Sequence, residues 1–404
     1  MSGSAPVVHR GRWLPEDRAD ALYRYLPVEV PRDAEGLRVE LAYDRSAGVL
    51  DLGCFGPDDE FRGWSGGARD RYAIGPDWAT PGYLAGALTP GEWRVVLGLH
   101  RVPADGIAWE IRAATGPVGP APLAPAPPPP DRPVRLAGLP APDGLRWLAG
   151  DLHAHTLHSD GALTIDEVAA LAAGTGLDFL AVTDHNTTSH HGALAAAGAR
   201  YGVVLVPGQE VTCGLGHANA FGDIGWVDFR RPAADWVSTV DARGGLLSVN
   251  HPLGGDCAWR QPLPHRPPLA EVWHSDWWDR TWGAPLAWLL AWDPAAVPVG
   301  GSDFHEPSSH PIGRPTTWVA AEDNSVPAVL AALRAGRVAI SADPEGPLLL
   351  RVGAELVALG ADGLLLTSFT GRRRMVCGER CAFPAEDGVH WLEDGATRVM
   401  AIAG

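Results

Sequence analysis

Successive apolar runs in the middle of this 404-residue chain end in a histidine or a carboxylate, and that repetition constrains the fold more than any other feature. The first is Gly150-Asp151-Leu152-His153-Ala154-His155, with Asp160 round the following turn. Residues two apart on an extended strand share a face, so His153 and His155 can present both imidazoles to one cation. Thr183-Asp184-His185 follows Leu180-Ala181-Val182, and Gly208-Gln209-Glu210 follows the run from Val203 to Pro207, with His217 shortly downstream. Asn250-His251 follows Leu246 to Val249, and Gly301-Ser302-Asp303-Phe304-His305 follows Val297-Pro298-Val299. Twelve of the fifteen histidines lie between His153 and His310, and scattered surface histidines would not all follow strand-like segments. Active-site residues of a parallel barrel, in contrast, come from the C-terminal ends of several strands.

The surrounding pattern fits an α/β region. Thr164-Ile165-Asp166-Glu167 reads as a capping box opening a helix through Ala173; Pro232 suits the first turn of another, and Ser325 to Arg334 reads as a third. Apolar runs near residues 147, 180, 204, 247, 272, 299 and 318 give about seven strands, and alternation with helices implies a parallel sheet or barrel. Before it, residues 1–115 hold short β-like runs (Leu37 to Leu41, Gly48 to Leu52, Arg94 to Leu99, Ile107 to Ile111) between Gly, Pro and Asp turns, expected to form a small antiparallel sandwich. Residues 116–144, with Pro127 to Pro130 consecutive, read as a stiff connector. The barrel region is then 145–342, and 343–404 returns to short β-like runs as a small β-subdomain.

Charge and composition exclude several classes. The formal charge is -16 and every one of the 32 basic residues is Arg, with no clustered basic face of the kind that binds a nucleic-acid duplex. No window reaches the roughly 18–20 apolar residues of a membrane span, and the first 26 residues lack the apolar core of a signal peptide. The expected location is therefore the cytoplasm, or outside it if a signal preceded this numbering. Five cysteines, an odd number, do not make a disulfide framework, and Cys377-x-x-x-Cys381 has no visible second half to complete a zinc site.

With these motifs in order, the region from about 145 to 342 resembles the PHP (polymerase and histidinol phosphatase) superfamily of metal-dependent hydrolases, whose members have a distorted (β/α)7 barrel. The N-terminal β region, with Phe61-Arg62-Gly63-Trp64-Ser65-Gly66 and Ala79-Thr80-Pro81-Gly82-Tyr83, is similar to the carbaryl-hydrolase-like branch. The resemblance implies that His153, His155, Glu210 and Asp303 hold a first metal, that Glu210 bridges to a second completed by His217 and His251, and that Asp160, His185 and His305 form a third site. Two or three divalent ions are expected, and the imidazole and carboxylate ligands suit Zn, Mn or Fe alike. Glu210, Asp303 and His305 are the expected catalytic residues, with Arg314 and His191 on the substrate. A hydroxide bridging two cations would form near neutral pH, because bound cations lower the pKa of water from about 15.7 to roughly 7. A third cation would offset the charge of a phosphate ester in the transition state. The expected activity is hydrolysis of a small phosphate mono- or diester.

The remaining polar and aromatic residues near these motifs carry lesser expectations. Asp184 is read either as orienting a ligand or as an ordinary turn carboxylate. His158, His190, His274 and His310 are read either as proton shuttles or as structural, the structural role being the expected one, and Trp273, Trp277, Trp278 and Trp282 are expected to pack the barrel rather than wall a pocket. Two other readings compete with a phosphoesterase: a hydrolase of carbamate or carboxylic esters, and a noncatalytic metal-dependent binding module. Gly63-Trp64-Ser65-Gly66-Gly67 also matches the Gly-x-Ser-x-Gly nucleophile motif, but no helical run follows it as that motif requires. His305-Glu306 with His310 departs from a zincin helix, which Pro307 would break.

Overall fold

The computed structural model describes residues 6–120, 125–133 and 138–404 and divides into two compact units. The first holds the described residues up to Pro125 together with Leu157–Asp160 and Asp184–His190. Its strands are β1 (Val7–Trp13), β2 (Tyr23–Val30), β3 (Leu37–Tyr43), β4 (Val49–Phe55), β5 (Phe61–Gly66), β6 (Arg71–Ile74), β7 (Gly91–Arg101) and β8 (Ile107–Thr115). They form two four-stranded antiparallel sheets, ordered β1-β8-β3-β6 and β2-β7-β4-β5. Strict alternation drives this: Leu37, Val39 and Leu41 are buried while Arg38 and Glu40 are exposed, and Leu50, Leu52, Val95 and Leu97 close the same core from the other sheet. Ser65, the residue of the nucleophile-like motif, lies on strand β5, where its hydroxyl is 3.0 Å from the Tyr83 hydroxyl.

The second unit contains the seven expected runs as strands: β9 (Arg146–Asp151), β10 (Phe179–Val182), β11 (Val204–Cys213), β13 (Leu246–Val249), β14 (Leu269–His274), β15 (Val297–Gly301) and β16 (Thr316–Ala321). β9, β10 and β11 are parallel neighbours, as are β13, β14 and β15. Two strands depart from the parallel expectation. β12 (Gly216–Phe221) enters antiparallel between β11 and β13, because β11 runs on past its apolar stretch into a hairpin turned at Gly214-Leu215. β16 lies antiparallel against β9, and through β17 (Val338–Ser341) the same sheet continues into β24 (Val399–Ala403), β23 (His390–Glu393), β20 (Leu365–Ser368) and β21 (Arg373–Met375). Thirteen strands thus form one sheet, so much of the C-terminal β region extends the sheet that begins with β9. The sheet's edge strand β15 returns toward its middle: Gly300 exchanges hydrogen bonds with the Thr317 hydroxyl, and Ala154 and Phe304 form a parallel bridge.

Alternation with helices is incomplete. Helices α2 (Ile165–Gly174), α3 (His191–Tyr201), α4 (Ala233–Ala242), α5 (Ala284–Trp292) and α6 (Val326–Arg334) follow β9, β10, β12, β14 and β16. Among the described residues no α-helix separates β13 from β14 or β15 from β16. All three helix starts read from the sequence are present: Pro232 and Ser325 are N-caps, and Thr164 accepts from the Glu167 amide while Glu167 reaches back to Thr164. Of the Pro-rich connector, residues 121–124 and 134–137 lie outside the described residues. Its residues from Ala126 belong to the second unit, where the Pro127 and Pro140 carbonyls accept from Tyr201 and Trp147. No helix of the described chain is long and apolar enough to cross a membrane.

The α2 capping box satisfies donors that helix formation orphans, so Thr164→Ala should cost about 1 kcal/mol. Urea unfolding followed by tryptophan fluorescence should show this as a lowered midpoint for the second unit, with Thr164→Ser close to wild type.

Candidate metal centre

Nine side chains of the second unit converge where its parallel strands end. His153 and His155 follow β9 and alternate as a strand requires, and both are fully buried. Glu210 stands within β11 rather than after it, paired in register with Asn219, while His217 on β12 pairs with Thr212. This diagonal places His217 Nδ1 3.2 Å from Glu210 Oε1. His251 Nε2 lies 3.2 Å from the same oxygen, and Asn250 Nδ2 donates to it at 2.9 Å. On the other side His155 Nε2 is 3.5 Å from Glu210 Oε2. The two oxygens therefore face different imidazoles, the disposition that a bridging carboxylate needs.

Asp303, after β15, is the second shared carboxylate. Its Oδ1 is 3.1 Å from His153 Nε2 and 3.0 Å from His155 Nε2, and its Oδ2 is 3.1 Å from His274 Nε2. Its backbone is in the left-handed region at φ 52°, a conformation that Asp tolerates better than most residues but that tertiary contacts must hold. The hold comes from Asp151, fully buried, which accepts from the amides of His153, Ser302 and Gly313 and from the Ser302 hydroxyl at 2.5 Å. Burial pushes the Asp151 carboxyl pKa up, against the pull of these hydrogen bonds. His305 Nδ1 donates to the Asp303 carbonyl at 2.8 Å, which leaves Nε2 as the lone-pair nitrogen of the neutral ring, and the ring stacks on His155 with centroids 4.2 Å apart.

Two residues of this centre lie beyond the expected ligand set. Glu271, buried on β14, takes His153 Nδ1 at 3.0 Å and the His251 amide at 2.8 Å. A carboxylate on Nδ1 fixes the tautomer and turns Nε2 inward, the usual outer partner of a metal-bound histidine. His274 ends the same strand, which is the signal that could have found it: like the other candidates it closes an apolar run, and the expected structural role overlooked this. Gly301 makes room for the pair, since a Cβ there would sit 2.3 Å from Glu271 Oε1 and 2.5 Å from His153 Cβ.

The sequence-derived residues outside this set are placed as follows. Asp160 and His185 belong to the first unit, with His185 Nε2 3.6 Å from Asp160 Oδ2. There Asp184 accepts from Ser159 and lies 3.2 Å from His190 Nδ1. His191 begins α3 and donates from Nε2 to the Gly208 carbonyl, and Arg314 is exposed. Trp273 and Trp277 pack in the core as expected, whereas Trp278 and Trp282 are 85% and 67% exposed. The five cysteines are free thiols.

Whether these residues fit a metal can be judged from His153. With Nδ1 committed to Glu271, the inward Nε2 lone pair faces carboxylate oxygens of Glu210 and Asp303 at 3.4 and 3.1 Å, and neither it nor His274 Nε2 makes a hydrogen bond. A lone pair buried against carboxylates is repulsive unless a proton or a cation lies between them. Without metal the proton serves. Burial alone would lower the His153 pKa, but Asp303, Glu271 and Glu210 outweigh it and raise it well above the ordinary value. Burial would likewise raise the Asp303 pKa, but His153 and His155 hold it well below its usual range. The donor set thus fits divalent cations.

No family model matches the chain. Over 66 residues it is 46% identical to the 3',5'-nucleoside bisphosphate phosphatase of Chromobacterium violaceum, and over 62 residues 44% identical to the phosphoribosyl 1,2-cyclic phosphate 1,2-diphosphodiesterase of Eggerthella lenta. These stretches are 16% and 15% of this chain and 23% and 24% of the relatives, so the chain spans about a quarter of the length of the curated relatives it matches. Among solved structures, a two-domain protein containing a predicted PHP-like metal-dependent phosphoesterase from Bacteroides vulgatus aligns over 68% of this chain and 99% of its own, at 17% identity and a TM-score of 0.44. An amidohydrolase from Chromobacterium violaceum with bound sulfate aligns over 41% and 89%, at 18% identity and a TM-score of 0.32. Both curated relatives are named as enzymes acting on phosphate esters, in line with the motifs; neither name singles out the carbaryl-hydrolase-like branch.

The raised His153 pKa gives a pH signature. In the metal-free protein the stabilisation from protonated His153 is complete below the ordinary histidine pKa and is lost as pH rises through the elevated folded value. Chelated protein should therefore lose melting temperature on the alkaline side of the ordinary histidine range, while metal-loaded protein, whose ligands are deprotonated, should not. A flat profile for chelated protein would contradict this. Asp151→Asn should also lower metal content per chain, because an amide turns an N–H toward backbone donors and leaves buried groups unsatisfied at about 1–3 kcal/mol.

Proposed function

We propose that this protein is a metal-dependent phosphoesterase that hydrolyses a small phosphate mono- or diester, with the metal centre of the second unit as its active site. The observation that carries the reading is the set of buried His153, His155, Glu210 and His251 with partly buried His217 and Asp303, in which two carboxylates are each shared between imidazoles. The similarity to two enzymes named as acting on phosphate esters supports the same class of reaction. We read strands β9 to β17, in which β15 returns to hydrogen-bond with β16, as a distorted barrel with boundaries near 145 and 342, and take the N-terminal β region, 1–115, to contribute no chemistry.

His153, His155 and Asp303 would hold one cation, and His217 and His251 a second, with Glu210 between them. When bound, such ions supply a water that ionises near neutral pH and positive charge for the phosphoryl oxygens; Zn, Mn and Fe all suit the donors. The residues themselves do the positioning. Glu271 keeps the His153 lone pair inward, Asn250 orients Glu210 by donating to Oε1, and Asp151 holds the strained turn that presents Asp303. The phosphate ester is favoured over an uncharged carbamate or carboxylic ester because a dianion gains most from two cations in a buried site.

Chelation should abolish turnover of phosphoesters and added Mn or Zn should restore it, with elemental analysis giving two ions per active chain. A third would draw on ligands outside this set. Glu210→Gln should lose more than about a hundredfold in turnover with the fold intact by circular dichroism, since an amide lacks the charge to bridge two cations. Efficient cleavage of aryl carbamates with every phosphoester ignored would replace this reading by the carbamate or carboxylic ester hydrolase. Protein that binds metal and turns over neither class would be the noncatalytic module.

A further inference from the structure

The last turns of β14 open onto a cavity of about 350 Å³ that shares three walls with the metal centre: His251, Glu271 and His274. Its other walls include Asp276, Trp277, Trp278, Asp279 and Trp282. The loop that carries them is fastened rather than loose. Asp276 donates its amide to His274 Nδ1 at 3.1 Å, Trp277 donates its indole N–H to the Trp282 carbonyl at 2.8 Å, and Asp279 accepts from the Thr281 amide and hydroxyl. On this fastened backbone Trp278 and Trp282 leave 85% and 67% of their surface exposed, although indole burial is among the larger single gains available to a fold. Exposed large aromatics on a fastened loop beside a reactive centre are placed for a ligand.

The charge of the cavity selects among ligands. Among its described lining residues no Arg is present. The one cation of the loop from Ser275 to Gly283, Arg280, is turned elsewhere: its guanidinium lies over the Trp273 ring at 5.5 Å from the centroid and donates to the Val399 carbonyl. Apart from the two imidazoles shared with the metal centre and the apolar and glycine walls, what remains is indole and carboxylate. Glu271 is already engaged with His153 and the His251 amide, whereas the Asp276 side chain is 56% exposed, with His274 Nδ1 3.7 Å away. A second phosphate or a carboxylate on the substrate would meet carboxylates and no guanidinium here. An ammonium group meets what it requires, since indole faces attract a cation through their quadrupole and a carboxylate completes the neutralisation.

We propose that this cavity receives the alcohol portion of the substrate and that this alcohol carries a quaternary or substituted ammonium group, so that the enzyme acts on aminoalkyl phosphoesters of the phosphocholine type. This rests on the phosphoesterase reading above and adds the identity of the group beyond the phosphorus. Hydrolysis leaves the ammonium unchanged: the bond from phosphorus to the alkyl oxygen breaks, a water oxygen bonds to phosphorus, and a water proton ends on the departing alcohol. Trp278, Trp282 and Asp276 are specificity-determining residues in this scheme.

The test uses the full metal-loaded chain with phosphocholine and its uncharged isostere 3,3-dimethylbutyl phosphate, in which carbon replaces the cationic nitrogen. Phosphocholine should have at least about a tenfold higher kcat/KM, and Trp278→Ala and Asp276→Asn should each erase most of that ratio, with Trp278→Phe retaining part of it. Calorimetry with choline chloride alone gives a readout independent of turnover: choline should bind wild type, bind at least about tenfold more weakly to both variants, and be preferred over 3,3-dimethylbutanol. Equal turnover of the two esters, or a preference for AMP or a nucleoside bisphosphate, would overturn the proposal and leave the phosphoesterase reading standing. Choline binding without turnover of any phosphoester would sink the phosphoesterase reading while the cation site survived. Absence of choline binding would remove the site itself.

Discussion

The structure of the second unit depends on how two buried carboxylates, a third that is partly buried, and the imidazoles around them neutralise one another. Glu210, Glu271 and Asp303 share one desolvated volume with His153, His251 and His274, and an isolated buried charge there would cost more than most single interactions return. Each carboxylate is compensated twice over, and the directions of the pKa shifts report this: His153 and His251 are raised despite burial, and Asp303 and Glu271 are lowered despite it. Removing the protons leaves a cavity that only cations can neutralise. The packing of the strand ends thus suits divalent cations.

Meeting that requirement shapes the backbone nearby. Gly301 is tied to its position by the Glu271–His153 pair, which leaves no space for a methyl group. Asp151 spends both carboxyl oxygens on backbone and hydroxyl donors from three separate segments, and this is what holds Asp303 at a positive φ. Neither residue touches an ion in the proposed chemistry, yet each decides where a ligand points. The same strand, β14, supplies Glu271 and His274 to the centre and then leads directly into the tryptophan-lined cavity, so the donor cluster and the cavity share one element.

Much of the ligand set was legible because strand periodicity puts alternate residues on one face and because ligands recur after apolar runs. His153, His155, His251, Asp303 and His305 stand at strand ends in the structure for that reason. Glu210 and His217 were read as ligands through family resemblance, while their actual placement in a hairpin depended on a two-residue turn that apolar periodicity does not register. His274 carried the same strand-end signal and was assigned a structural role. Glu271 gave no signal, since an acid inside an apolar strand acquires meaning only when its partner, 118 residues away, comes into contact.

What the sequence determined by itself is local: the strands and the better-capped helix starts of the second unit, the alternating β pattern of the first unit, and the kinds of donor atom available for a metal. These follow from steric preference and from periodicity, which act over a few residues. The antiparallel entry of β12 and β16, the merging of C-terminal strands into the sheet that begins with β9, and the roles of Asp151, Glu271 and Gly301 were decided by tertiary structure. So was the division of the tryptophans, with Trp273 and Trp277 buried and Trp278 and Trp282 exposed at a cavity. Burial and charge pairing depend on which distant segments meet, and indole looks the same in sequence whether its partner is a neighbouring side chain or a ligand.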